Sequence, residues 1–135
     1  MRKIAIIALM TLMAVTANAQ KKQYDVICTA PYDARTQQYG KVEAQEYHIT
    51  RNGDKWFNIH GRQYQVVSID ARSVTDEKQY TEYTVRDDDA RQYILKIVWD
   101  STATPELRKH YVILVDTNNP YDWTYYFIGA PREVK

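Results

Sequence analysis

Residues 93 to 99, Tyr93-Ile94-Leu95-Lys96-Ile97-Val98-Trp99, follow the alternation of an extended chain. Successive side chains of a strand point to opposite faces, so Tyr93, Leu95, Ile97 and Trp99 share one face and Lys96 stands on the other. On a helix the same residues would be spread around the axis. The stretch therefore predicts a half-buried strand near 91 to 100, and the same period of two recurs in segments rich in Tyr, Val, Ile, Trp and Thr. Other strands are expected near 23 to 29, 42 to 50, 55 to 60, 63 to 70, 79 to 86, 110 to 116 and 121 to 129. Past residue 19 no segment keeps apolar residues at helical spacing. Eight short strands predict an all-β chain folded as an antiparallel barrel, with a β-sandwich as the alternative.

The connections fit antiparallel neighbours. Arg51-Asn52-Gly53-Asp54 contains Asn-Gly, a pair that tolerates positive φ and marks hairpins. A two-residue loop would oppose Ile49 to Trp56 and divide the apolar residues between faces. A three-residue loop with Gly53 left-handed opposes Tyr47 to Phe57 and Ile49 to Lys55, keeping Tyr47, Ile49, Phe57 and Ile59 on one face. The second register is expected, because a slip of one residue forfeits a buried face. Thr117-Asn118-Asn119-Pro120 is expected to turn the chain between the last two strands, and the segment from Arg86 to Arg91 between the fifth and sixth. Thr104-Pro105-Glu106-Leu107-Arg108-Lys109 predicts one short helical turn near 104 to 109, with Thr104 as cap and Pro105 in first position. Gln-Tyr occurs at 23, 38, 63, 79 and 92, often where a strand is expected to begin, at intervals too irregular for a repeat.

The chain opens with Met1-Arg2-Lys3, continues through an apolar run from Ile4 to Val15, and reaches Ala17-Asn18-Ala19. Positive charge, an apolar segment too short to span a bilayer and small residues at a peptidase site make a secretory signal. Cleavage after Ala19 is expected, leaving residues 20 to 135 as a single β domain in the periplasm or outside the cell. A lipid anchor would need a cysteine at the cleavage point, and Cys28 lies well past it, so no membrane anchor is expected. Loss of Arg2 and Lys3 turns the formal charge of +1 into −1. Charges of both signs are interspersed, without the basic stripe of a nucleic-acid binder, so no nucleic acid is expected as a partner. Export would permit disulfides, yet Cys28 is the one cysteine of the 135 residues. It sits in the extended run Tyr24 to Thr29 and is expected to be buried as a small inert hydrophobe.

Groups able to carry chemistry are few. In the expected hairpin register His48 and His60 point to the same side, with Glu46 and Asn58 between them. They stand four residues apart along the ladder, roughly 13 Å at about 3.3 Å per residue, too far to share one zinc ion. Asp87-Asp88-Asp89 lacks the alternating spacing, central glycine and distal glutamate of a calcium loop and reads as an acidic turn. No Gly-x-Ser-x-Gly surrounds Ser68, Ser73 or Ser101, and the 4 glycines form no phosphate-cradling cluster. No metal and no cofactor are expected, and binding is expected ahead of catalysis.

The aromatic residues carry what remains. In Tyr121-Asp122-Trp123-Thr124-Tyr125-Tyr126-Phe127, a strand places Tyr121, Trp123, Tyr125 and Phe127 on one face and Asp122, Thr124 and Tyr126, with Ile128, on the other. Aromatic residues dominate the interiors of small β domains, so the first face is expected to pack inward. An eight-stranded barrel is just wide enough to be filled by side chains or to hold one small ligand. Candidate ligand-contacting residues are Trp56, Tyr93, Trp99, Tyr121, Trp123 and Tyr125.

An exported chain of about eight antiparallel strands with one helical turn resembles the lipocalin-like (calycin) barrels. The leader ending Ala17-Asn18-Ala19-Gln20 is similar to those of small exported proteins of the Bacteroidetes. The resemblance is one of architecture: the family's Gly-x-Trp has no counterpart before Tyr24 to Thr29, and no binding residue carries over. The expected function is a non-catalytic barrel that binds a small apolar or sugar-like (carbohydrate) ligand against aromatic side chains. The alternative is a protein-interaction module, such as an inhibitor or accessory subunit, anchored by exposed tyrosines. A third reading, a membrane-spanning barrel, is opposed by strands that read shorter than the ~9 to 11 residues needed to span and by the polar ending Arg132-Glu133-Val134-Lys135.

Overall fold

The computed structural model describes residues 21 to 133; the expected leader, residues 1 to 19, lies outside the described residues. The strands are β1 (Lys21–Asp33), β2 (Gln38–Tyr39), β3 (Glu43–Asn52), β4 (Trp56–Ile59), β5 (Arg62–Val74), β6 (Lys78–Arg86), β7 (Gln92–Asp100), β8 (His110–Asp116), β9 (Asp122–Ile128) and β10 (Arg132–Glu133). Neighbours pair antiparallel in the order β1-β3-β4-β5-β6-β7-β8-β9, and β9 pairs with β1 to close the ring. Closure decides for the barrel over the sandwich and leaves no free edge between its first and last strands. β10 and β2 are short additions beside the two ends of β1.

All eight expected strands are present. Their lengths differ from those expected: β1 and β5 each run 13 residues and β3 runs 10, longer than expected, while β4 runs 4 and β9 runs 7, shorter. Bulges explain the excess in β1 and β5. The pairing of β1 shifts between Val26 and Cys28, and that of β5 shifts between Val66 and Ser68 and again between Ile69 and Ala71. An extra residue bends a strand and interrupts its alternation, so the sequence pattern stops where the strand does not.

Strand β7 has the expected faces. Tyr93, Leu95 and Ile97 point into the barrel, where they meet buried side chains from every other wall strand, among them Val26, Ile49, Phe57, Tyr64, Val85, Val112 and Ile128. Phe57 and Tyr83 are fully covered and meet edge to face at 5.2 Å. Burying each such side chain stabilises the fold by about 1.5 to 3 kcal/mol. Much of the outer wall is polar: Asp25 pairs with His48 at 2.7 Å, and Asp70 accepts from Ser68 at 2.7 Å and Thr84 at 2.6 Å.

The aromatic face of residues 121 to 127 reverses its expected direction. Tyr126 and Ile128 face the interior, whereas Trp123, Tyr125 and Phe127 lie on the outer wall. There Cys28, Ala30, Ile113, Tyr125 and Phe127 form a second buried cluster, with Tyr32, Leu107, Tyr111, Val115 and Trp123 packed against it. The β1 bulge builds this outer core. Val26 pairs with Ile128 inside, but with Ile27 as the extra residue Cys28 pairs with Phe127, Ala30 with Tyr125 and Tyr32 with Trp123. One additional residue in a period of two exchanges the faces. Cys28 is buried as expected, at 6% exposure, but in the outer core.

Two local expectations also change. The β3–β4 hairpin pairs Ile49 with Ile59 and Arg51 with Phe57, with Gly53, Asp54 and Lys55 as the loop. Gly53 is left-handed, φ 52°, and the apolar face is preserved, but the partners expected for Tyr47 and Ile49 are not the observed ones. The turn simply sits further along, which costs no buried face because the shift is even. The helical turn is a 3-10 segment, Glu106–Lys109. Pro105 is still extended, with ψ 175°, and no side chain caps it, so Thr104 is not the cap.

Candidate functional site

At the end of the barrel where β1 begins and β7 ends, a cavity of about 470 Å³ opens above the packed interior. That volume is within the usual range for small-molecule sites, about 300 to 1,000 Å³. Its apolar wall includes Tyr24, Val74, Ile97, Trp99 and Pro131, and its polar wall Lys22, Arg51, Arg72, Gln79 and Thr81. Trp99 is there because it continues the inward parity of Tyr93, Leu95 and Ile97 one step beyond the core. It remains 37% exposed at the rim. His110, the first residue of β8, meets the Tyr24 ring edge to face at 5.4 Å. Burial pushes its pKa down to about 4, so the imidazole is neutral at neutral pH.

The polar wall is organised around Asp54 in the β3–β4 loop. Its Oδ1 accepts from Tyr83 Oη at 2.6 Å and Arg72 Nη2 at 2.9 Å, with Arg51 Nη2 at 3.4 Å. Burial works against the Asp54 charge, but hydrogen bonds from Tyr83 and Arg72 and the two guanidinium charges outweigh it and lower its pKa. Arg51 is held further by Gly53 O, at 3.0 Å from Nη2 and 3.1 Å from Nε, and by Tyr83 Oη at 2.9 Å. Its guanidinium also lies 5.0 Å from the Phe57 ring centroid. Arg72 donates its Nε to Thr81 Oγ1 at 3.3 Å. Among the described residues the lining contains no carboxylate.

Of the six candidate residues, only Trp99 lines this cavity. Tyr93 is inside the barrel, buried, edge to face with Tyr64 at 5.3 Å, and its hydroxyl donates to Asp87 Oδ2 at 3.2 Å. Trp56 is half-buried and alternates with inward Phe57, which turns it outward. Trp123 and Tyr125 belong to the outer cluster; Trp123 Nε1 donates to Pro120 O at 2.9 Å and its ring lies 5.3 Å from Tyr32. Tyr121 precedes β9, 51% exposed, with the Arg35 guanidinium 5.3 Å from its ring centre. The six do not converge.

The other chemistry-bearing groups are occupied structurally. Asp87 accepts the backbone N–H groups of Asp89 and Arg91 at 2.9 and 3.0 Å, which closes the acidic turn around it. The two histidines part: His48 pairs with Asp25, while His60, at φ 51°, forms the β4–β5 turn with Gly61 and packs on Tyr47 at 4.2 Å. Among the described residues no three His, Cys, Asp or Glu side chains are grouped to hold a metal ion. Burial raises the Cys28 pKa and favours the thiol.

Sequence reasoning missed Tyr24, Arg51, Arg72 and His110. Arg51 shares the parity of Ile49 on β3, a usable signal. Arg72 lies beyond the expected end of its strand, and nothing local marks it. No protein-family model matches this chain, and no curated protein or solved structure matches it.

Proposed function

We propose that the protein is a non-catalytic barrel that binds a small apolar or sugar-like ligand in the mouth cavity, against Trp99, Tyr24 and Ile97. The observation that carries this reading is the contrast between a filled interior and a roomy, mixed apolar and polar mouth. Trp99 offers its ring at the rim. Ligand sites combine apolar walls with a few fixed polar groups, as here. Fluorescence titration of the domain with phenylnaphthylamine, a neutral apolar dye, tests it. Saturable binding that weakens about tenfold in Trp99→Ala is expected, the scale of a lost aromatic contact. Saturation with the same affinity in Trp99→Ala, or none at all, would overturn the reading.

The second reading is an interaction module, and the outer aromatic face favours it. Tyr39 and Tyr121 are 43% and 51% exposed at its margin, and tyrosines of this kind anchor protein partners. It ranks second because the rest of that face is already covered by Leu107 and neighbouring rings.

A further inference from the structure

We propose that the mouth takes a small organic anion, with the ligand's apolar body against Trp99 and Ile97 and its negative group between Arg51 and Arg72. The inference rests on the ligand-site reading above and names the chemical class of the ligand.

Two guanidinium groups share one oxygen of one carboxylate. Arg72 holds the shorter contact, 2.9 Å, and Arg51 the longer, 3.4 Å. The side chain of Arg51 is only 17% exposed. A mostly buried cation needs a full partner, and half of a distant carboxylate is a poor one. Its other contacts, Gly53 O, Tyr83 Oη and the Phe57 ring, carry no negative charge. Among the described residues neither Nη1 of Arg51 nor Nη1 of Arg72 makes a hydrogen bond, whereas Nε and Nη2 of both are engaged. The engaged nitrogens fix each planar fork and leave one amino group of each free to donate. Fixed guanidinium groups suit bidentate recognition of carboxylate, sulfonate or phosphate oxygens.

The surroundings do not cancel this charge. Lys22 adds a third cation to the lining, with Glu133 opposite it across the β1–β10 ladder. The arginine pair therefore keeps an excess positive charge after Asp54 is counted. The concave, partly apolar setting of the pair favours a small anion carrying an apolar body.

The test compares anilinonaphthalene sulfonate with phenylnaphthylamine, dyes that share a ring system and differ in the sulfonate. Titrations use the folded domain and its Arg72→Gln, Trp99→Ala and Arg91→Gln variants, with circular dichroism confirming that each is folded. Arg72 is the probe of choice because its side chain is 47% exposed and tolerates replacement better than Arg51. The expected result is that Arg72→Gln weakens the sulfonate dye about tenfold, the scale of a charged hydrogen bond, and changes the neutral dye less than twofold. Trp99→Ala weakens both, and Arg91→Gln, at the far end of the barrel, weakens neither. Unchanged sulfonate affinity in Arg72→Gln, or equal loss of both dyes, would overturn the anion proposal while leaving the ligand site standing. Failure of both dyes to bind, or indifference of both to Trp99→Ala, would remove the ligand site and this proposal with it.

Discussion

His110 and Trp123 show how position in the barrel decides what an aromatic ring contributes. His110 sits at the mouth, and burial lowers its pKa from 6.5 to about 4. The unfolded chain takes up a proton near pH 6.5 that the folded one refuses until about 4. Stability contributed by the neutral ring is therefore complete above pH 6.5, falls as pH drops and is gone near 4. The full shift is worth roughly 3 kcal/mol, and contact with solvent at the mouth reduces the expected loss to about 1 to 2 kcal/mol. Urea denaturation of the protein and of His110→Gln between pH 7 and 4.5 should show a shallower decline in the variant; parallel declines would place His110 in a solvated setting. Trp123 packs on the outer wall and is only half-buried. Trp123→Ala should cost about 1 to 3 kcal/mol, less than the about 3 to 5 kcal/mol expected for Phe57→Ala in the interior. Denaturation midpoints that reversed this order would mean that the outer cluster, and not the barrel interior, is the principal core.

At the scale of elements, the bulge in β1 does the most. Upstream of Ile27 the strand feeds Tyr24 and Val26 to the interior; downstream it feeds Cys28, Ala30 and Tyr32 to the outer cluster. Ile27 itself is 47% exposed. Its side chain is therefore dispensable while its presence in the chain is not. Ile27→Ser should change stability by less than about 0.5 kcal/mol, as exposed positions do, whereas deletion of Ile27 should cost more than about 4 kcal/mol or prevent folding. Circular dichroism and urea denaturation measure both; a deletion as mild as the serine variant would show that β1 can re-register without loss. Elsewhere in the chain, the residue after β2 approaches β1 closely: a Cβ on Gly40 would lie 2.5 Å from Pro31 Cγ in a stiff ring. Gly40→Ala is expected to destabilise the domain by about 1 to 3 kcal/mol through this overpacking, and a neutral result in the same assay would mean that the β2 segment can lift away.

Across the whole molecule, closure by the β1–β9 ladder joins the two cores into one unit, since the same two strands supply both. A single cooperative transition is expected, with interior and outer cluster lost together. The domain that unfolds in this way is expected to be the exported form. Mass spectrometry of the secreted protein should find Gln20 as its first residue, and a chain that retained Met1 to Ala19 would refute the reading of the leader.

Alternation of period two is a local property, and it was enough to determine the eight strands of the barrel wall, the all-β class and, away from the bulges in β1 and β5, the division of each strand into two faces, but not the short β2 and β10. The left-handed Gly53, the strand entries beside Gln-Tyr at 63, 79 and 92, and the burial of Cys28 were legible too, from turn chemistry and residue type. Alternation cannot say which of two apolar faces turns inward, because that depends on which neighbour covers each face. On β9 both faces carry large apolar side chains, and only the closed barrel, the bulge at Ile27 and the segment carrying Leu107 decide that Tyr126 and Ile128 are inside and Trp123, Tyr125 and Phe127 outside. The mouth was hidden for a related reason. Tyr24, Arg51, Arg72, Trp99 and His110 come from five different strands, and the ring of ladders that brings them together is long-range by construction.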